Sequence, residues 1–204
     1  MKAPSFEDLN IGRVETFSDG VFTVVATLLV FDLHFPHINH PTNANVWMAI
    51  LSTLPKLIAW INSFLVVCVI WMNHHRFIQI LKRIDPTIFW LNNLLLMFIS
   101  LLPFPTNLMG EYVGNNSATC FYGLCMAMPT LFFSGMGNYL TKHTQLLKVE
   151  FDIDILRKSA RLHSFLGPSA YLAGAALSWV NSWLAILIYT TITLYFIFPR
   201  IRLL

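Results

Sequence analysis

The sequence predicts an all-α integral membrane protein of six transmembrane helices per subunit. Three observations carry that reading: a scarcity of charge, a series of long apolar runs, and a one-sided distribution of lysine and arginine. Hydrophobic residues fill 56% of the 204 positions and charged residues only 11%, with a mean hydropathy of +0.62. Soluble domains carry about a quarter charged residues, and a chain with so few cannot cover a water-facing surface. A spanning helix needs roughly 20 apolar residues, so the chain holds about six or seven spans with short loops and leaves no room for an extramembrane domain.

Six apolar runs, at 14–35, 46–72, 88–109, 118–140, 162–180 and 183–198, are separated by short polar or proline-containing segments. They are expected to form a single transmembrane domain over residues 1–204. The segment before the first run carries Lys2, Glu7 and Asp8 and lacks the basic, apolar, small-residue order of a cleavable signal, so the first helix is expected to be retained. In the second run Lys56 stands beside Pro55 and is expected to snorkel to the outer interface. Pro103 and Pro105 near the end of the third run, and Pro129 within the fourth, predict bends. Gly123, Gly135 and Gly137 predict close helix approach along the fourth. Segment 141–161, mixed in sign, reads as an interfacial or cytoplasmic connector. Only Asn181 and Ser182 part the last two runs, which predicts a tight helical hairpin.

The basic residues fix an orientation. Lys2 and Arg13 precede the first span; Arg76, Lys82 and Arg83 follow the second; Lys142, Lys148, Arg157, Lys158 and Arg161 follow the fourth; Arg200 and Arg202 close the chain. The intervening segments 36–45, 110–117 and 181–182 contain neither lysine nor arginine. The positive-inside rule then places both termini in the cytoplasm, with Lys56 as the one basic residue outside the pattern. Trp47, Trp60, Trp71, Trp90, Trp179 and Trp183 fall mostly at run ends, where indole rings favour the membrane interface.

The same dispersal of basic residues argues against nucleic-acid binding. Cys68, Cys120 and Cys125 cannot all pair and have no metal-binding spacing, so they read as buried free thiols. No His-Glu-x-x-His motif, paired carboxylates within one span or credible Ser-His-Asp order is present, and a non-enzymatic protein without cofactor or metal is expected. His34, His37 and His40 are spaced by three, but Pro36 and Pro41 deny them a regular scaffold, leaving metal capture unsupported and pH sensitivity at the outer mouth open. Nearby Asp32 either concentrates cations or caps backbone.

The first run is the most informative. Arg13, Ser18 and Asp19 at its cytoplasmic end need partners inside the protein, because charged groups in a membrane cost several kcal/mol unless paired or hydrated. Asn73, His74, His75, Asn92 and Asn93 are the candidates. At about 100° per residue, Phe17, Gly20, Val24, Thr27, Leu28 and Phe31 share one face, and Asp19 points away from it. Periodicity alone favours ordinary helix packing over a functional surface for the Val24 to Phe31 face.

Arg13, then Phe17-Ser18-Asp19-Gly20-Val21-Phe22, then Ala26-Thr27-Leu28-Leu29-Val30 resembles the signature opening of the transmembrane protein 175 family, the lysosomal and prokaryotic potassium channels. Trp71-Met72-Asn73-His74-His75-Arg76-Phe77 and Asn92 with Leu101-Leu102-Pro103-Phe104-Pro105 extend the resemblance over about half the chain. It implies a homotetramer of single-repeat, six-helix subunits in a prokaryotic plasma membrane, with the first helix lining a central pore. Val24 would form the constriction, with Thr27, Leu28 and Phe31 supplying rings further outward. Arg13, Phe17, Ser18, Asp19, Asn73, His74 and Asn92 would form a structural network holding that helix. Val24 and Phe31 depart from the isoleucine or leucine usual at such positions. K⁺ and other monovalent cations, membrane lipids and further copies of the chain are the partners implied.

No Thr-Val-Gly-Tyr-Gly loop is present, so carbonyl coordination of that kind is not the expected basis of selectivity. A ring of apolar side chains instead strips water from an ion without replacing it, a smaller penalty for K⁺ than for Na⁺. The Thr27 hydroxyl either replaces part of that water or bonds its own helix backbone. The alternatives are a proton-coupled secondary transporter using Arg13, Asp19 and the His74–His75 pair, although no duplicated half is visible, and a non-conducting membrane scaffold.

Overall fold

The computed structural model describes residues 10–31, 33–39, 41–148 and 153–197. Among the described residues eight α-helices follow one another: α1 (Ile11–Phe31), α2 (Asn43–Ser52), α3 (Leu54–Gln79), α4 (Pro86–Ser100), α5 (Pro103–Glu111), α6 (Asn116–Lys142), α7 (Ile153–Leu177) and α8 (Ser182–Ile197). Lys2, Asp32, His40, Arg200 and Arg202 lie outside the described residues.

Local chemistry sets the helix starts. The Asn10 side chain accepts from the Gly12 N–H at 2.9 Å, Thr42 from Asn45 at 3.2 Å, Asp85 from Ile88 at 2.9 Å, and Asn115 from Ser117 and Ala118 at 3.0 and 3.1 Å. Asn181 caps α8 through Trp183 and Leu184 at 2.9 and 3.2 Å. Each cap satisfies amide donors that the first helical turn leaves without a carbonyl. Pro55, Pro86 and Pro103 stand in first turns, where the missing N–H costs nothing.

Prolines also explain where the observed helices depart from the apolar runs. The expected first span, 14–35, stops as a helix at Phe31, and 33–39 is irregular ahead of Pro36. The second run divides at Thr53 into α2 and α3, and α3 continues past residue 72 to Gln79. The third divides at Leu101 and Leu102 into α4 and α5, as Pro103 and Pro105 predict, whereas α6 stays one helix through Pro129. The expected connector 141–161 is corrected in its second half: α7 begins at Ile153 and not at 162, so Arg157, Lys158 and Arg161 stand on its first three turns. Before it, a short turn at Thr144–Leu146 leads Leu147 into a bridge with Leu81, closed by Lys82 N–H to the Leu146 carbonyl at 2.7 Å.

Among the described residues four helical stretches are long and apolar enough to cross a membrane: Ile11–Phe31, Asn43–Gln79, Pro86–Glu111 and Asn116–Lys142. The 16-residue α8 is apolar but shorter, about 24 Å at 1.5 Å per residue. In the packed core α1 lies against α3 and α4, and α6 packs most extensively on α7. Glycine is required at two places where α6, α7 and α8 meet. A Cβ at Gly123 would collide with the Tyr189 hydroxyl, and one at Gly174 with the Tyr189 ring. By contrast, Gly135 and Gly137 have only ordinary contact distances around them, 3.7 and 3.5 Å.

Lys56 does not simply snorkel. It forms an ion pair with Glu111 of α5, joining the start of α3 to the end of α5.

Candidate functional site

Two faces of α1 have opposite environments. Val14, Ser18, Phe22, Val25 and Leu29, spaced by three or four, are buried against α3 and α4. On the open side Phe17 is 60% exposed, Val24 54%, Leu28 43% and Phe31 71%, with Gly20 and Thr27 exposed between them. Val24, Leu28 and Phe31 climb this side over about 10 Å at 1.5 Å per residue. The Thr27 hydroxyl donates to the Val24 carbonyl at 2.8 Å and lies 3.2 Å from that of Thr23, so its proton is committed to its own helix.

The buried side is tied down by polar groups. His74 Nε2 lies 2.7 Å from Asn92 Oδ1, and Asn92 Nδ2 donates to Ser18 Oγ at 3.1 Å. Ser18 Oγ in turn donates to the Val14 carbonyl at 2.8 Å. Because the Asn92 oxygen can only accept, the imidazole proton is on Nε2. Donation then runs in one direction from α3 through α4 to α1. All three side chains are buried, the Phe22 ring covers the imidazole at a centroid distance of 5.4 Å, and His74 Nδ1 finds no partner among the described residues.

A second connection runs along the flank of α1 that faces α3. Trp71 Nε1 donates to Asp19 Oδ1 at 2.8 Å, and the indole stacks on His75 at 6.1 Å. His75 Nδ1 is 3.1 Å from Glu15 Oε1, an ion pair when the imidazole is protonated, and His75 Nε2 is 2.8 Å from Gln79 Nε2. Glu15 and Asp19 are one turn apart on α1, facing Trp71, His75 and Gln79, which are one turn apart on α3.

The structure thus brings together Ser18, His74 and Asn92, and joins Asp19 to α1's neighbour through a different residue. Arg13 is exposed, and its side chain makes no hydrogen bond or ion pair among the described residues. Phe17 lies on the open side, away from the polar groups. Asn73 and Asn93 each donate back to their own helices, to the Val69 and Phe89 carbonyls at 2.9 Å. Trp71, Glu15 and Gln79 are the connections that sequence reasoning missed. The signal for them is the i, i+4 recurrence of Trp71, His75 and Gln79 opposite Glu15 and Asp19. Among the described residues no three His, Cys, Asp or Glu side chains converge on a metal-sized site, and His34 and His37 lie in the exposed segment after α1.

Residues 13–103, which contain all but the first two residues of α1, its buried polar chain and the α3–α4 pair that anchors it, match the family model described as endosomal/lysosomal potassium channel TMEM175. A potassium channel of Chamaesiphon minutus is 33% identical over 93% of this chain and 95% of its own length. One from Streptomyces collinus is 31% identical over 93% of each. The solved structure of a lysosomal potassium-selective channel TMEM175 homolog from Chamaesiphon minutus superposes with a TM-score of 0.80 at 30% identity, covering 92% of this chain and 96% of that one. Full-length likeness in sequence and fold together leads to one conclusion: this chain is an integral membrane protein of the TMEM175 family of ion channels and not an enzyme.

Proposed function

We propose that the protein is a passive, potassium-preferring cation channel of a prokaryotic plasma membrane, built from four copies that enclose a pore lined by α1. The observation that carries this is the open side of α1. A helix whose other face is anchored to α3 and α4 by a buried polar chain leaves Phe17, Val24, Leu28 and Phe31 uncovered in the isolated subunit. In a bilayer such a stripe is satisfied by lipid, by a neighbouring copy or by a dewetted pore, and the likeness to a solved potassium-selective channel favours the last two. Four copies around an axis supply both, because the stripe's centre faces the axis while its flanks meet neighbouring copies.

Residues 1–204 form one domain in this reading, with α2–α3 and α4–α5 each crossing the membrane once and α7 and α8 supplying the fifth and sixth crossings. Both ends of the chain lie in the cytoplasm. Val24 forms the narrowest ring, and Leu28 and Phe31 form wider apolar rings toward the outer mouth. A K⁺ ion pays less than Na⁺ to shed water in such a throat, so the ring sorts ions by hydration and not by coordination. Thr27 offers only its oxygen lone pairs, since its proton is held by the Val24 carbonyl. Ser18, His74, Asn92, Asp19 and Trp71 hold the pore helix in place.

Purified protein in liposomes, assayed for electrogenic flux under K⁺, Na⁺ and choline gradients, tests the proposal. Passive flux that prefers K⁺ is expected. Saturable flux coupled to protons would favour the transporter reading, and no flux in any gradient the scaffold. Val24→Ala and Val24→Asn should each raise flux and blur the ion preference. An unchanged preference in both variants moves the constriction elsewhere.

A further inference from the structure

α6 ends at Lys142 and α7 opens with a charged segment, and between the two helices lies a groove that ion conduction along α1 does not use. The groove encloses about 490 Å³ and is lined by Asn138 and Thr141 of α6 and by Arg157, Arg161, Ser164 and Phe165 of α7. That volume suits a small ligand or a headgroup.

Its chemistry is divided along its length. Arg157 and Arg161 are one turn apart on the same helix, so both guanidinium groups serve the same opening. Among the described residues Arg161 has no ion-pair partner and Arg157 has only a long 3.4 Å contact with Asp154, with both side chains of that pair largely exposed. Such cations are available to an incoming anion. Ser164 Oγ is buried and finds no hydrogen-bond partner among the described residues, an orphan donor that a ligand oxygen would satisfy. The Thr141 hydroxyl, in contrast, is already spent on the Asn138 carbonyl at 2.8 Å. Next to Ser164, Phe165 is 71% exposed at the point where α7 turns from charged to apolar sequence.

We propose that this groove holds the phosphate headgroup of an anionic membrane lipid. The arginine pair and the Ser164 hydroxyl bind the phosphate oxygens, and one acyl chain runs over Phe165 into the bilayer. Guanidinium forks match phosphate oxygens in geometry and charge, and basic pockets between transmembrane helices at the membrane boundary recognise such headgroups. A free phosphate would use the arginines and the serine but leave the exposed phenylalanine without a role.

Native mass spectrometry of the full-length protein in detergent, titrated with phosphatidylglycerol or phosphatidylcholine of matched chains, tests this independently of any flux. Phosphatidylglycerol is expected to bind more tightly. The double variant R157Q/R161Q should weaken it by about 30-fold, on the scale expected for two basic side chains at a membrane surface. Ser164→Ala, which leaves the charge intact, should weaken it about fivefold, the value of one hydrogen bond. The control K82Q/R83Q should leave binding unchanged, and millimolar inorganic phosphate should not displace the lipid. Equal binding of both lipids, an equal loss in the K82Q/R83Q control, full binding by Ser164→Ala, or displacement by inorganic phosphate would each overturn the assignment.

Discussion

Replacing Asn92 by leucine isolates what the buried chain from His74 to Ser18 contributes. The side chain keeps a similar length but loses the oxygen that lies 2.7 Å from His74 Nε2 and the amide that donates to Ser18 at 3.1 Å. Ser18 remains satisfied, because its hydroxyl already bonds the Val14 carbonyl at 2.8 Å. The cost therefore falls on one group: the His74 Nε2–H, fully buried, on a ring whose Nδ1 has no partner among the described residues. Orphaning a buried donor costs about 1–3 kcal/mol. Within a membrane the unfolded reference state also finds partners, which favours the lower half of that range, about 1–2 kcal/mol. For a chain of this size that corresponds to a fall in Tm of roughly 2–8 °C. Thermal unfolding followed by tryptophan fluorescence in detergent reads it. The double variant His74→Leu/Asn92→Leu removes donor and acceptor together and should recover most of the loss. A single variant as stable as the parent, or a double variant no better than the single, would refute the claim that these side chains form one satisfied unit.

Other consequences follow from the same packing. Gly123→Ala places a methyl group against the Tyr189 hydroxyl and should destabilise by about 1–3 kcal/mol in the same assay, with Tyr189→Phe relieving part of the clash. Lys56→Met breaks a partly exposed pair with Glu111 and should cost less than about 1 kcal/mol, leaving Tm almost unchanged. Trp71→Phe keeps an aromatic ring beside His75 but removes the bond to Asp19, and should lower stability by about 1 kcal/mol. A Trp71→Phe variant with parental Tm would show that this second connection does not help hold α1.

Much of the architecture was legible because apolar length and proline positions act locally. The break between α4 and α5 at Pro103 follows from residues adjacent to it, and the turn expected at Asn181 and Ser182 falls slightly earlier, over 178–181, with Ser182 opening α8. Where a helix runs on beyond an apolar stretch, charge hid the continuation. Arg157, Lys158 and Arg161 resemble a loop by composition, yet they extend α7 outward from its apolar part. In the candidate site, the 100° period separated the open side of α1 from its buried side, but it could not pair residues between helices. Asp19 meets Trp71 because α1 and α3 pack in one particular register, and a tryptophan near a run end reads first as an interfacial anchor. Asn73 and Asn93 looked like equal candidates beside Asn92, and only the rotational setting of α3 and α4 shows them bonded to their own backbones.

Cross-linking at Val24 reaches the central claim most directly. In a background with Cys68, Cys120 and Cys125 replaced by serine or alanine, Val24→Cys places one thiol per subunit on the open side of α1. Oxidation in native membranes is expected to yield disulfide-linked dimers, and a hydrophilic thiol reagent is expected to block K⁺ flux through the unoxidised protein in liposomes. The control Ile58→Cys, on an exposed face of α3, should do neither. Val24→Cys protein that stays monomeric on oxidation and conducts normally after thiol modification would place α1 away from the axis and contradict the account.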